Sequence, residues 1–287
     1  MMHETLSYPE AEPTAGVLLI HGLTGTPNEM RHIARGLSRA GFLVHSVKLA
    51  GHCGSEADLV ATDRHDWFQS VVAAAEMMRR EVEHFFVAGL SMGAVLALKY
   101  AIEYPRHVRG LGLYGTTFFY DGWSIPAVAK FAFLLPLFQR LGIGRRKVFL
   151  EAPPYGLKNE RLRQAIVTKM NSGDSSAAGL PGNPWPALAQ FYLLSAEVQK
   201  NLHRVQAPAL VIHARDDDVA SLRNAQLIER KARGPVETVV LTNSYHLITL
   251  DQEKDVVVAR SVDFFRRLIG KRQQEHAPSR GLAETVV

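Results

Sequence analysis

Residues 85–94 constrain the fold more than any other stretch of the chain. Phe85-Phe86-Val87-Ala88 reads as a buried strand, Gly89-Leu90-Ser91-Met92-Gly93 as a sharp turn, and Ala94 to Ala101 as a helix-forming run. A chain that swings from strand into helix within a couple of residues strains its backbone at the corner, so the flanking residues must be nearly bare. Gly89 and Gly93 meet that need because glycine has no Cβ. The corner residue, Ser91, then stands above a sheet at a helix N-terminus, whose partial positive charge favours a developing anion. Such a corner presents a nucleophile.

The rest of the chain supplies a sheet for this corner. Val17-Leu18-Leu19-Ile20 is a short buried strand, and His21-Gly22-Leu23-Thr24-Gly25-Thr26-Pro27 is the loop that leaves it. The spacing of Met30, Ile33, Ala34 and Leu37 predicts a helix over 28–39, ended by Gly41. Further strands are predicted over 42–49, 108–114, 209–213 and 236–241, with helices over 67–80, 222–232 and 256–269. Strands alternating with helices imply a parallel sheet with right-handed crossovers. From 117 to 202 that alternation lapses into helical pieces broken by Pro126, Pro136 and Pro153-Pro154. The expected organisation is an α/β core built from 1–116 and 203–272, a helical cap over 117–202, and a polar tail over 273–287.

A serine hydroxyl needs a base to take its proton, and the base needs an acid to hold its tautomer. Of 12 histidines, His246 follows a predicted strand late in the chain, in Thr242-Asn243-Ser244-Tyr245-His246. His213 lies inside a strand and reads as a buried sheet residue. His3, His32, His45, His65, His84 and His107 read as solvated. The acid belongs after the preceding strand, where Asp216-Asp217-Asp218 stands, and spacing does not choose among the three. Two backbone N–H groups complete the constellation as an oxyanion hole: Met92, next to Ser91, and Leu23 in the first loop. His52 has no second ligand at metal-binding spacing, so no metal and no cofactor are expected.

Charge and cysteine content narrow the class further. The net charge of +5 is scattered, with Arg145-Arg146-Lys147 and the segment from Arg266 to Arg272 its densest spots, which argues against a nucleic-acid partner and leaves room for transient contact with a membrane surface. A lone cysteine, Cys53, excludes an internal disulfide and suits a reducing cytoplasm. The first residues lack the basic and apolar regions of a signal peptide, and 125–141, the most apolar stretch, is broken by Lys130 and Pro136.

At these residues the sequence resembles the α/β-hydrolase superfamily, and within it bacterial carboxylesterases and monoacylglycerol lipases. The resemblance is carried by His21 to Pro27, Gly51-His52, His65-Asp66-Trp67, Gly89 to Gly93, Asn243-Ser244-Tyr245-His246 and Thr249-Leu250-Asp251. It implies Asp217 as the acid, and it assigns the second oxyanion donor to Leu23. It departs where Ala94 replaces a glycine common in relatives, and through most of the cap. The expectation is a serine hydrolase of carboxylic esters, with Phe118, Phe119, Trp123, Ile125, Val128, Phe131, Leu134, Leu135 and Phe138 of the cap pointing to an aliphatic acyl chain, of medium length or in a monoacylglycerol. A thioesterase, an amidase, a carbon–carbon bond hydrolase or a non-catalytic ligand-binding relative would share the same residues.

Overall fold

The computed structural model describes residues 5–6, 13–171, 175 and 179–275. Strand β2 (Ala15–Ile20) is buried at every position, as expected of a strand covered on both faces. Its Val17 and Leu19 join one half of the core, and Leu18 and Ile20 the other. Beside it run β1 (Thr5–Leu6), β3 (Leu43–Val47), β4 (His84–Leu90), β5 (Gly110–Tyr114), β8 (Ala209–Ala214) and β9 (Val236–Leu241). Among the described residues these seven strands make one sheet in the order β1-β3-β2-β4-β5-β8-β9. Only β1 runs antiparallel, and the other six are parallel.

Helices cover both faces. On one lie α1 (Arg31–Arg39) and the last helix, α9 (Lys254–Glu275). Met30, Ile33, Leu37 and Phe265 pack there against Val17 and Phe86. The two helices cross so closely that a Cβ at Gly36 would overlap the side chain of Val258. The other face carries α3 (Arg64–Met78) and α4 (Met92–Glu103), with Trp67, Val71, Leu96 and Tyr100 in its core. Burying such side chains contributes about 1.5–3 kcal/mol each. Helix α3 starts on a capping box in which the Asp63 side chain accepts the Asp66 N–H at 3.2 Å while Asp66 Oδ2 accepts the Asp63 N–H at 3.0 Å. Helix α2 (Glu56–Val60) is capped in the same way by Ser55 and Asp58.

Between β5 and β8 the chain leaves the sheet. A 3-10 stretch (Ala127–Leu134) runs into α5 (Leu135–Arg140), followed by β6 (Val148–Leu150), α6 (Glu160–Asn171), β7 (Gly182–Pro184) and α7 (Trp185–Asn201). Strands β6 and β7 pair antiparallel, a small sheet that the sequence reading did not foresee. Three residues are too few to display alternation, and Pro184 sits at the end of its pairing register, where a missing N–H is tolerated. Helix α7 turns back onto the body of the protein, with Phe191, Leu194 and Val198 in the same core as α3 and α4.

Two expectations need correction. His45 and His84 are 7% and 6% exposed, buried on the sheet rather than solvated. Helix α9 extends to Glu275, so 273–275 are helical, and the rest of the expected tail lies outside the described residues, as do His3 and His276. Helix α8 (Arg223–Lys231) completes the fold beside β9. Among the described residues no helix is long and apolar enough to cross a membrane.

Candidate active site

The corner between β4 and α4 is as strained as its sequence demands. Ser91 has φ +55° and ψ −117°, a left-handed conformation that side-chain-bearing residues rarely adopt, while its N–H still bonds Tyr114 O at 2.9 Å. Both flanking glycines are required by close approach. A Cβ at Gly93 would overlap the Ile20 carbonyl at the end of β2, and one at Gly89 would overlap the backbone of Gly93. Gly93→Ala is therefore expected to lower thermal stability by about 1–3 kcal/mol, as overpacking does, and to depress turnover as the corner shifts. A melting curve with unchanged midpoint would contradict it.

Asp217 and His246 stand on loops at the C-terminal ends of β8 and β9. His246 Nδ1 lies 2.9 Å from Asp217 Oδ2 and 3.1 Å from Oδ1. A carboxylate only accepts, so Nδ1 carries the proton and Nε2 keeps its lone pair. Asp217 is held from behind: its Oδ1 accepts the Val219 and Ala220 N–H groups at 2.9 and 2.7 Å, and His213 Nε2 stands 3.3 Å from Oδ2. Of the three adjacent aspartates, Asp216 is exposed and Asp218 is turned elsewhere. Asp218 Oδ1 accepts the His246 N–H at 3.2 Å and Oδ2 the Gly156 N–H at 2.9 Å. The loop carrying His246 is thereby tied to the inserted segment. Asp251 adds to that tie by accepting the N–H groups of Tyr245, Lys158 and Asn159 at 2.8, 2.8 and 2.9 Å.

The first loop lies against the corner. A Cβ placed on Gly22 would stand 3.5 Å from Ser91 Cβ. The Gly22 N–H is turned to Glu29 Oε2 at 3.1 Å and the Gly25 N–H to Gly22 O at 3.3 Å, with Leu23 between them. Met92 is the first residue of α4, so its N–H is among the donors that a helix leaves unpaired in its first turn. His21 shapes this loop. Its Nδ1 donates to Gly22 O at 2.9 Å, its Nε2 accepts the Leu49 N–H at 3.4 Å, and its ring meets that of His52 edge-on at 5.0 Å.

The sequence matches the family model described as serine aminopeptidase, S33, over residues 11–253. The chain belongs to that family. This S33 hydrolase is 31% identical over 264 residues to the thermostable monoacylglycerol lipase of Bacillus sp. (strain H-257), covering 92% of this chain and 94% of that one. It is 24% identical over 255 residues to the carboxylesterase of Bacillus subtilis (strain 168), covering 88% and 92% of the two chains. Among solved structures it superposes with a TM-score of 0.73 and 29% identity on one from the metagenome-derived lipolytic enzymes LipS and LipT, covering 90% and 95% of the two chains. It is an α/β hydrolase of the lipase and esterase type.

Burial and charge tune this hydrolase's site. Burial would lower the His246 pKa, but the Asp217 carboxylate and its hydrogen bond outweigh that and hold it above the ordinary histidine value. Burial would raise Asp217, and the neighbouring imidazoles and the Ala220 N–H instead hold it below the usual carboxylate range. His21 and His52, by contrast, are pushed down to about 3 and about 4, chiefly by burial, and stay neutral.

Two neighbours of the site carried no sequence signal. Thr117 Oγ1 donates to Gly115 O at 3.1 Å and lies 3.1 Å from Ser91 Oγ, so in this structure the serine hydroxyl donates to Thr117. Glu29 is the other. Both stand beside the site only because of the fold, and nothing in their local sequence marks them.

Proposed function

We propose that this hydrolase cleaves small carboxylic esters through Ser91, His246 and Asp217, with the Leu23 and Met92 N–H groups as oxyanion hole. The observation that carries the reading is the Asp217–His246 pair, bonded at 2.9 Å on loops that follow two parallel strands of the sheet whose β4 ends at the strained Ser91. Ser91 turns from Thr117 toward His246 Nε2, gives up its proton and attacks the acyl carbon. Negative charge gathers on the carbonyl oxygen between Leu23 and Met92, where backbone dipoles stabilise it. His246 then protonates the leaving alcohol. Water, activated in turn by His246, releases the acid from the acyl-serine.

In this reading 117–202 forms a cap over the site, anchored through α7 on the core and through Asp218 and Asp251 at its middle. Phe118 and Leu135 are buried, whereas Trp123, Val128 and Phe131 face solvent. That division supports an apolar acyl pocket beneath the cap, and an outer face suited to brief contact with a lipid surface. The relatives named monoacylglycerol lipase and carboxylesterase support carboxylic esters, monoacylglycerols included, as the substrate class, and the apolar cap residues favour a medium-length acyl chain.

Hydrolysis of p-nitrophenyl esters from acetate to palmitate, beside a monoacylglycerol series, tests this. The expected result is turnover of both series with an optimum at intermediate chain length. A folded protein that cleaves thioesters or amides and none of these esters overturns it.

A further inference from the structure

The loop that bears Leu23 is folded around a carboxyl group. Glu29 lies in the 3-10 turn after that loop (Pro27–Met30) and reaches back, so that its Oε2 accepts the Gly22 N–H at 3.1 Å. A Cβ at Gly25 would overlap this carboxyl group, so the loop closes over it only because residue 25 is bare. On the far side, a Cβ at Gly22 would stand 3.5 Å from Glu29 Oε2 and 3.5 Å from Ser91 Cβ alike. One glycine therefore separates the Glu29 carboxyl from the serine. The Gly22 N–H needs an oxygen acceptor, which a neutral acid or an amide also supplies. A negative charge there strengthens this one bond, but it stands one glycine from Ser91 and beside Leu23, whose N–H is the proposed oxyanion donor.

We propose that Glu29 is a positioning residue for the acyl transfer: neutral, it holds the loop that presents the Leu23 N–H, and ionised, its charge opposes the oxyanion and slows turnover. This rests on the reading of Ser91, His246 and Asp217 given above. The groups facing Glu29 are Glu151 just after β6, His246 from the loop after β9, and Cys53 from the loop after β3, with Lys48 beside Cys53. Burial dominates, and with Glu151 it overrides the Gly22 bond and His246 to push the carboxyl up to about 7. An ionised Glu29 also favours the imidazolium of His246. That influence is the weakest of those on Glu29, whereas Leu23 adjoins its hydrogen-bond partner, so the effect on the oxyanion prevails.

The test compares the native enzyme with Glu29→Gln, which keeps an acceptor for Gly22 and cannot ionise. With p-nitrophenyl butyrate, the ratio of variant to native kcat is expected near one at about pH 6, rising to about tenfold at about pH 9, with similar KM. Glu29→Ala, lacking both acceptor and charge, lowers kcat at every pH. Parallel profiles for native enzyme and Glu29→Gln would overturn the proposal. Melting temperature gives a readout independent of ester turnover. The native state keeps the Glu29 proton to about 7, while the unfolded chain releases it near 4.5. The native protein therefore loses stability relative to Glu29→Gln as pH rises through that window, and the difference is level above it. Absent Ser91-dependent turnover would sink the triad reading while leaving this comparison informative, and a melting difference independent of pH would sink Glu29.

Discussion

Ser91→Ala is expected to leave ester hydrolysis at background, a loss on the order of a million-fold in kcat, with the fold intact. The substitution removes Oγ and its hydrogen bond to Thr117 but not the cause of the strained corner, which is the packing of Gly89 and Gly93 against neighbouring backbone. Alanine at φ +55° carries the same strain as serine, so the melting temperature should change by no more than a lost partly buried hydrogen bond allows, about 1 kcal/mol. A fluorophosphonate probe, which forms a covalent bond to an activated serine, checks the residue directly. The native protein gains the mass of one phosphonyl group, and Ser91→Ala gains none. Substantial turnover by a folded Ser91→Ala protein would remove Ser91 from the mechanism.

The second large effect is at Asp217. Its Oδ1 accepts two backbone N–H groups, from Val219 and Ala220, so an asparagine must place its single carbonyl oxygen there. The amide NH2 then falls where Oδ2 was, 2.9 Å from His246 Nδ1, and donates to it. That forces the imidazole proton onto Nε2, the atom that accepts from Ser91 in the proposed mechanism. Asp217→Asn should therefore cost about 10⁴ in kcat at neutral pH with a near-normal structure. Asp216→Asn, at an exposed residue, should leave kcat unchanged. Asp218→Asn is a different case. Its carboxyl accepts from Gly156 and His246 on separate oxygens, and an amide satisfies one of them only, so the loss falls mainly on stability and on the placing of His246. A large kcat loss at Asp216 with Asp217→Asn nearly active would overturn the assignment.

With His246 as the proposed base, the acid limb of the pH profile is expected to follow its titration. Its pKa is raised by Asp217, and only the neutral imidazole accepts the serine proton, so kcat/KM should rise with pH through a midpoint above that of a free histidine. In Asp217→Asn that support is gone, and the midpoint should move down.

Much of this was legible in the sequence because it is governed by short-range physics. Gly89 and Gly93 around Ser91 announce a strained corner, since only bare residues fit between strand β4 and the neighbouring backbone. The buried apolar run of β2 and the helical spacing of Met30, Ile33, Ala34 and Leu37 announce a covered parallel sheet, since each periodicity belongs to one backbone geometry. The position of His246 beyond its strand follows from the same alternation. Tertiary structure alone decided what depends on contact between distant segments. Which of three consecutive aspartates faces His246 depends on how the loop after β8 is wrapped, and here the N–H groups of Val219 and Ala220 hold Asp217 inward and leave Asp216 in solvent. The three-residue strands β6 and β7 are stabilised by one another rather than by any local pattern. His45 and His84 are buried because their positions fall within a covered sheet. Glu29 reads locally as an ordinary polar residue of a turn. It becomes a half-buried carboxyl because the loop folds back on it, and a charge's environment is set by what the whole chain packs around it.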